Sequence, residues 1–444
     1  MKGPFTALTD RESDRIGSLF RQFAEVRAHN GAMLSRPLRI GLSPEQVVVR
    51  LAAYARKHDL AQPAAVCGEW FGSRAVVAPF LDVRATPFPG PVGEAPGAGV
   101  GGGWFGYLGY DSADPSGRRG ALPASAWGWA DHVLRWDADG TCRFEVLEGG
   151  RDPDVLWSTV ERALAVPASL TWSASPLRRP SGHEQAVKAC VHEIEAGELF
   201  QANVCARFVG GFDGEPAALF AEGVRRLAPR RAAYLAGDWG AVVSLSPELF
   251  LARHGRRVRS SPIKGTLPRR GPEHDRNADL LRRSAKDVAE NVMITDLVRN
   301  DLGRVCRVGS VVVPELLAVH PAPGVWHLAS TVEGELADGV TDAGLLAAAF
   351  PPGSVTGAPK IRALDLIAEL EPRARGVYTG AVGVVSPSAG LELNVAIRTF
   401  EIHDGTIELG VGGGITADSA GAAEWQECLD KADPLEQLLA TPPG

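Results

Sequence analysis

Apolar positions recur along this chain with two periods, and the changes of period mark out its elements. At 43–46, Ser-Pro-Glu-Gln combines a serine cap, a proline in the first turn and a glutamine three residues after the cap, so it predicts a helix start. Val47, Val48, Leu51 and Ala55 then supply that helix with an apolar face. Strand-like runs follow at 64–69 and 74–81, and the runs 133–136 and 142–147 flank Asp-Ala-Asp-Gly, a hairpin signal. The stretch from Gly102 to Asp111 reads as a glycine-interrupted strand packed closely in a sheet. Gly97, Gly99 and Gly102 form a formal G-x-G-x-x-G, but it follows a Pro-rich loop and opens no helix, so the context of a dinucleotide site fails.

A Ser-, Pro- and Arg-rich stretch at 172–181 predicts a boundary, giving an N-terminal region 1–172, a linker 173–182 and a second region 183–440. No internal repeat is present. Beyond the boundary Ser181 and Glu184 read as a capping box, Val187, Cys190, Val191 and Ile194 follow at helical spacing, and Gly197 closes the helix. The cleanest strand comes next: Phe200, Ala202, Val204, Ala206 and Phe208 alternate with Gln201, Asn203, Cys205 and Arg207. Gln201, Asn203 and Arg207 therefore share a face, which is either a solvated polar side or the lining of a site. A helix predicted over 284–298 carries Glu290 on the same face as Met293, Ile294 and Leu297. A carboxylate there needs a partner, either an internal arginine such as Arg299 or a metal ion. Glu424 and Glu427 lie on one side of a final helix, where the plainer reading of Glu427 is a solvated pair with Lys431.

Composition narrows the class. The 444 residues are 45% hydrophobic and 22% charged, which describes an ordinary soluble globular protein with a large core. A net charge of −7, from 46 basic and 53 acidic residues, argues against general nucleic-acid binding. No apolar signal core opens the chain, and no run approaches the roughly 18 apolar residues of a membrane span. The six cysteines show no C-x-x-C spacing, which points to a reducing cytoplasm and away from structural zinc.

Candidate chemistry gathers around Ser-Ser-Pro-Ile-Lys-Gly-Thr at 260–266. Lys264 is expected in a short turn, where Gly265 lets the backbone approach a ligand and the amine can act as a nucleophile. Should the segments flanking Glu248 and Lys264 form a hairpin, acid and amine face one pocket. Arg253, Arg256, Arg257, Arg259, Arg269 and Arg270 surround this stretch, as a solvated face or as a means of steering an anion. Glu290, Glu424 and Glu427 together offer hard oxygen donors suited to Mg²⁺. The run Gly-Ser-Val-Thr-Gly-Ala-Pro-Lys at 353–360 lacks the P-loop order, so ATP binding is not supported, but its amides precede an amphipathic helix and can hold a carboxylate. Glycines at 410 and 412–414 invite close approach to a ligand, and Arg398 suits bidentate carboxylate binding.

The motifs also stand in a telling order. The chain carries Phe-Gln-Ala-Asn at 200–203, Ser-Pro-Glu at 246–248 and Pro-Ile-Lys-Gly-Thr at 262–266. Ala-Glu-Asn-Val-Met-Ile-Thr-Asp-Leu-Val-Arg-Asn-Asp follows at 289–301, then Trp-His-Leu-Ala-Ser at 326–330 and the glycine run at 353–360. Gly-Gly-Gly-Ile-Thr-Ala-Asp-Ser at 412–419 and Glu-Trp-Gln-Glu-Cys-Leu-Asp-Lys at 424–431 complete it. Over about 180–440 this resembles the chorismate-utilising enzymes, relatives of anthranilate synthase component I.

That resemblance implies an α+β fold of the anthranilate synthase component I type. It would be one large unit of two packed β-sheets surrounded by helices, with the N-terminal region contributing strands and the substrate site lying between. Members that activate water place a lysine base where Gln201 stands, so a water nucleophile is disfavoured. Anthranilate-forming members have alanine where Lys264 stands, and a lysine there marks the aminodeoxychorismate-forming branch, in which it attacks C2 of chorismate. By the same resemblance Glu248 is the general acid, and Glu290, Glu424 and Glu427 hold Mg²⁺. Gln201, Gly265, Thr266, His327, Thr356, Tyr378, Arg398, Gly412, Gly413 and Gly414 bind substrate. The implied reaction turns chorismate and ammonia into 4-amino-4-deoxychorismate, the precursor of 4-aminobenzoate. Anthranilate, or another chorismate product of the same fold, is the alternative. No Cys-His-Glu glutaminase is fused, which implies a separate glutaminase subunit supplying ammonia. Two departures stand out: Cys428 replaces a usual threonine, and the element through which relatives bind tryptophan is not evident, its place reading Val-Cys-Gly-Glu-Trp at 66–70.

Overall fold

The first helix forms as its end signals predict. In Pro44–His58 the Ser43 side chain accepts from the Gln46 N–H and the Gln46 side chain accepts from the Ser43 N–H, a complete capping box. Val47, Val48, Leu51, Ala52 and Ala55 are buried, and Asp59 closes the helix in a left-handed turn at φ 52°. The computed structural model describes residues 33–90, 99–149, 151–269 and 271–442, so Gly97 of the formal glycine motif and Arg270 lie outside the described residues.

Two antiparallel sheets organise the chain. The 12-stranded sheet runs Met33–Leu38, Cys142–Leu147, His132–Trp136, Ser73–Ala78, Ala64–Trp70, Arg231–Gly237, Gly240–Ser246, Thr399–His403, Thr406–Ile415, Gln201–Gly214 and Gly357–Ala358, with Trp172–Ala174 paired to Gln201–Gly214. The 10-stranded sheet runs Ile263–Pro268, Val325–Glu335, Arg257–Ser261, Leu249–His254, Gly390–Val395, Ala381–Ser386, Gly103–Leu108, Ser125–Ala130 and Arg84–Ala85, with Val312–Ala322 paired to Val325–Glu335. Strands from before residue 150 pair directly with strands from after residue 230 in both sheets, as in Ala64–Trp70 with Arg231–Gly237 and Gly103–Leu108 with Ala381–Ser386. The N-terminal region thus contributes strands to both sheets.

The sheets pack face to face through Val66, Trp70, Val76 and Val242 on one side and Phe105, Tyr107, Val382 and Val384 on the other. Helices Pro44–His58, Pro153–Ala165, Pro216–Leu227 and Gly421–Leu439 cover the outer face of the larger sheet. Ala285–Gly303 and Asp342–Ala349 cover that of the smaller one. Strands in such a four-layer stack are buried on both faces, and this settles the polar face of the cleanest predicted strand. Gln201, Asn203 and Arg207 are 1%, 6% and 9% exposed, so the solvated reading fails. Arg207 is matched instead by Glu401 at 2.7 Å and by Glu408. Among the described residues no helix is long and apolar enough to cross a membrane. All six cysteines are free.

Several local expectations change. The capping box at Ser181 and Glu184 does not form, because Gly182, at φ 96°, caps His183–Glu195 without a side-chain bond. The expected linker 173–182 is pinned to the sheet: Trp172–Ala174 pairs with 212–214, and Arg178 bridges Val209. Lys264 is not in a free turn. It belongs to the strand Ile263–Pro268, whose register against Val325–Glu335 shifts between Ile263 and Thr266, so Lys264 and Gly265 (φ 89°) form a bulge. The helix predicted over 284–298 runs on to Gly303, with Ser284 capping the Asp287 N–H.

Trp70 tests the joint between the sheets. It is fully buried, with its ring nitrogen 3.1 Å from the Cys67 carbonyl and the Arg231 guanidinium over its ring. Trp70→Ala is expected to cost about 3–5 kcal/mol, read as a lowered urea midpoint by circular dichroism. An unchanged midpoint would mean that the joint does not depend on this side chain.

Candidate active site

Glu248 and Lys264 meet because the strands between them form a hairpin. Leu249–His254 pairs with Arg257–Ser261, which brings Glu248, just before the first strand, beside Ile263 and Lys264, just after the second. Glu248 is 3% exposed. The Ser354 hydroxyl donates to its Oε1 at 2.6 Å, and the Ile263 N–H donates to the same carboxyl. Burial pushes this carboxyl up to about 7, with Ser354, Lys264 and the Ile263 N–H pulling the other way. It is a carboxyl poised to hold a proton near neutrality.

The glycine strand Thr406–Ile415 provides the floor. It pairs with Gln201–Gly214, setting Gly414 opposite Asn203 and Gly412 opposite Cys205. A Cβ on Gly414 would stand 2.0 Å from Gln201 Nε2 and 2.9 Å from Lys264 Nζ, so these side chains meet only because the floor is bare there. Gly413 lies against Glu424 and Glu427, at 3.2 and 3.7 Å from a built Cβ. The space at Gly412 is filled by Cys205, and its carbonyl accepts from Lys431 at 2.8 Å.

The three predicted glutamates are neighbours, each beside a lysine. Glu290, 8% exposed, accepts from Gln201 Nε2 at 3.3 Å and lies 3.6 Å from Lys264 and 4.0 Å from Lys286. Burial raises its pKa against the pull of those two lysines. The arginine partner considered for Glu290 is not used, since Arg299 pairs with Asp296. Glu424, 2% exposed, takes both Lys286 at 3.1 Å and the Ser419 hydroxyl at 2.7 Å on Oε1, which leaves Oε2 buried without a partner. Glu427 makes the plain pair with Lys431 at 2.8 Å; burial works against its charge, but Lys431, Lys286 and Lys264 hold its pKa below the ordinary value. Among the described residues no group of three His, Cys, Asp or Glu side chains is arranged to hold a metal ion. The donor chemistry nevertheless suits a hard cation: three adjacent carboxylates, one with a buried oxygen that lacks any hydrogen bond.

Another wall holds Thr266, two residues after Lys264, whose Oγ1 lies 2.9 Å from His327 Nδ1, a pairing fixed by the register of their strands. Burial, with Arg398, Arg230 and His320, lowers the His327 pKa to about 3, so the imidazole is neutral, and its Nε2 is buried without a partner. Arg398, held in a left-handed turn at φ 49°, faces both His327 and Glu248, and burial lowers its pKa while Glu248 opposes that. The side chains of Thr356 and Tyr378 are engaged elsewhere. Thr356 donates to the Pro352 carbonyl at 2.9 Å, and Tyr378 packs on Gly410 with its hydroxyl 3.9 Å from Cys205 Sγ. Four of the arginines read as a solvated face or as steering groups are engaged within the chain: Arg253, Arg256 and Arg257 pair with Asp342, Asp338 and Glu333, and Arg269 covers Trp326.

Sequence reasoning did not single out Ser354, Lys286 or Asn291. Ser354 lay inside a quoted motif, and Lys286 stands four residues before Glu290, the spacing of a helical ion pair. Asn291 bonds the Leu328 carbonyl and the Ser330 hydroxyl, tying the helix of Glu290 to the strand of His327. In the turn before the helix Lys360–Leu370 the Ser354 hydroxyl holds the chain's own Glu248. Lys360 itself is a buried strut, 2.6 Å from Asp301.

A family model described as chorismate binding enzyme matches residues 60–437. The chain is 39% identical over 372 residues to the aminodeoxychorismate synthase component 1 of Salmonella typhimurium, covering 80% of this chain and 81% of that one. It is 37% identical over 359 residues to the anthranilate synthase component 1 of Thermus thermophilus, covering 75% and 76%. Among solved structures, anthranilate synthase component I from Streptococcus pneumoniae superposes with a TM-score of 0.69 at 22% identity, covering 98% of this chain and 95% of that one, a likeness of fold.

The state of His327 can be read directly. Nitrogen-15 spectra of histidine-labelled protein are expected to show one imidazole, lost in His327→Gln, that stays neutral from pH 7 down to pH 5 while exposed histidines protonate. Protonation of that ring near pH 6 would remove the neutral wall described above.

Proposed function

We propose that this chain, which belongs to the chorismate binding enzyme family, makes 4-amino-4-deoxychorismate from chorismate and ammonia. One observation carries the reading: an amine, Lys264, lies on a bulge over a bare glycine floor, with a buried acid, Glu248, beside it. The two relatives differ by only 39% against 37% identity, so overall likeness does not choose between their products. Lys264 favours the aminodeoxychorismate reading, since an anthranilate route needs no amine there, and Gln201 cannot serve as a base for water.

In this mechanism the uncharged Lys264 amine adds at C2 of the chorismate ring. Both ring double bonds shift, C1=C2 to C1=C6 and C5=C6 to C4=C5, the C4–O bond breaks, and the proton of Glu248 leaves with the hydroxyl as water. Ammonia then adds at C4, both double bonds return to their first positions, and Lys264 departs from C2 with its electron pair. Glu290, Glu424 and Glu427 would hold Mg²⁺, which when bound would chelate the ring carboxylate. Arg398 supplies a cation for a substrate carboxylate, and neutral His327 offers Nε2 as a hydrogen-bonding group. The relatives' description as component 1 supports a partner component, which we read as a glutaminase delivering ammonia. The free cysteines fit a cytoplasmic setting.

Incubation of the protein with chorismate, Mg²⁺ and an ammonium salt is expected to give aminodeoxychorismate, identified by mass and chromatography. Lys264→Ala should lower turnover by at least about 10³-fold. Anthranilate or isochorismate from the unaltered chain would overturn the reading. Because Glu248 must carry a proton to act as the acid, kcat/KM is expected to fall as pH rises through about 7, and an unchanged rate up to pH 9 would exclude that role.

A further inference from the structure

The acid at the centre of this site depends on a group outside it. Ser354 lies 106 residues after Glu248, in the short turn Gly353–Val355. Its hydroxyl donates to Glu248 Oε1 at 2.6 Å, with the two residues 7% and 3% exposed. The turn is firmly held: the Thr356 N–H bonds the Gly353 carbonyl, and Arg375 bonds the Val355 carbonyl. Leu297 packs so closely on Gly353 that a Cβ there would meet it at 2.7 Å. A serine fixed in this way limits the rotation of the carboxyl that it touches.

We propose that Ser354 is the positioning residue of the general acid, orienting the Glu248 carboxyl and stabilising the carboxylate left when its proton departs. This rests on the reading of Glu248 as the acid. A hydroxyl bonds a carboxylate more strongly than a neutral acid, so the contact tightens as the proton is handed over. Burial alone would make Glu248 a very weak acid, and Ser354 offsets part of that effect. The charged groups facing Glu248 are Lys264 on its strand, Arg398 beyond Gly390–Val395, and Lys431 on the C-terminal helix. Asp301 lines the same small cavity but is already matched by Lys360 and Arg304. Among these groups and the Ile263 N–H, Ser354 is the neutral side chain whose removal leaves the charge pattern intact.

Ser354→Ala is expected to move the alkaline limb of kcat/KM upward by about one pH unit and to lower kcat about tenfold, with KM little changed. Ser354→Thr, which keeps the hydroxyl, should restore both. An infrared titration of the carboxyl band lost in Glu248→Gln reads the same shift without turnover. A fall in rate with the limb and the band unmoved would overturn the proposal. Should the alanine variant fail to fold, Ser354→Cys, a weaker donor, is expected to shift limb and band in the same direction by less, and no shift there overturns it equally. An active Glu248→Gln enzyme with its alkaline limb intact would instead remove the premise, a result distinct from failure of the serine contact.

Discussion

An amine and a carboxyl that share a nearly closed space must be placed together, and much of this structure follows from the pair Lys264–Glu290, 3.6 Å apart. Their side chains are 11% and 10% exposed, so neither polar group has water enough to stand alone. Meeting that constraint takes a bulge in one strand to turn the lysine, a glycine floor to let it lie flat, and a helix running across the sheet to present the acid. Asn291, next to Glu290, fixes that helix to the strand bearing His327. The lysine's own strand pairs with that same strand. Acid, amine and imidazole are thus referred to a single sheet edge, and displacing one displaces all three.

The site then separates its carboxylates by environment. Glu427, half-exposed and next to Lys431, keeps its charge more readily than an isolated glutamate. Glu248, surrounded by the smaller sheet and the helix behind it, is pushed the other way. Glu427 and Glu248 thereby take opposite parts, one keeping its charge and one suited to give a proton, while Glu290 is raised by burial as Glu248 is. The neutral His327 fits the same logic, because a second buried cation beside Arg398 would oppose the arginine's own charge.

How much of this was legible in the sequence depends on how far each decision reaches. The Ser43 capping box is local and forms as read, and the strand read at 200–208 is found as Gln201–Gly214, with Phe200 exposed before it. The box at Ser181 failed because the neighbouring Gly182 takes a left-handed cap that a serine pattern does not reveal. The bulge at Lys264 is set by register against a strand sixty residues away, so a proline and a glycine looked like a turn. Burial of Gln201 and Arg207 follows from layering: alternation identifies two faces but does not say that helices and a second sheet cover both. The motif order named the candidate residues and the i, i+4 spacing gave Lys431 beside Glu427, while Lys264 beside Glu290, Lys286 beside Glu424 and the serine behind Glu248 are contacts between distant segments.

The glycine run at 353–360 shows where pattern and chemistry part. Read as a unit, it suggests one anion-binding loop ending in a lysine. In the fold its members divide: Lys360 is consumed by Asp301, Thr356 by a backbone carbonyl, and Gly357 by close packing on the strand of Gln201. Only Ser354 turns toward the reactive groups, and it meets a carboxyl of the chain itself. A turn that holds an anion from elsewhere and a turn that holds the protein's own acid use the same short, glycine-rich geometry. The difference lies in which strand end arrives opposite, and here the hairpin of Leu249–Ser261 delivers Glu248. The run therefore acts on the chemistry through one hydroxyl, with its remaining residues keeping that hydroxyl still.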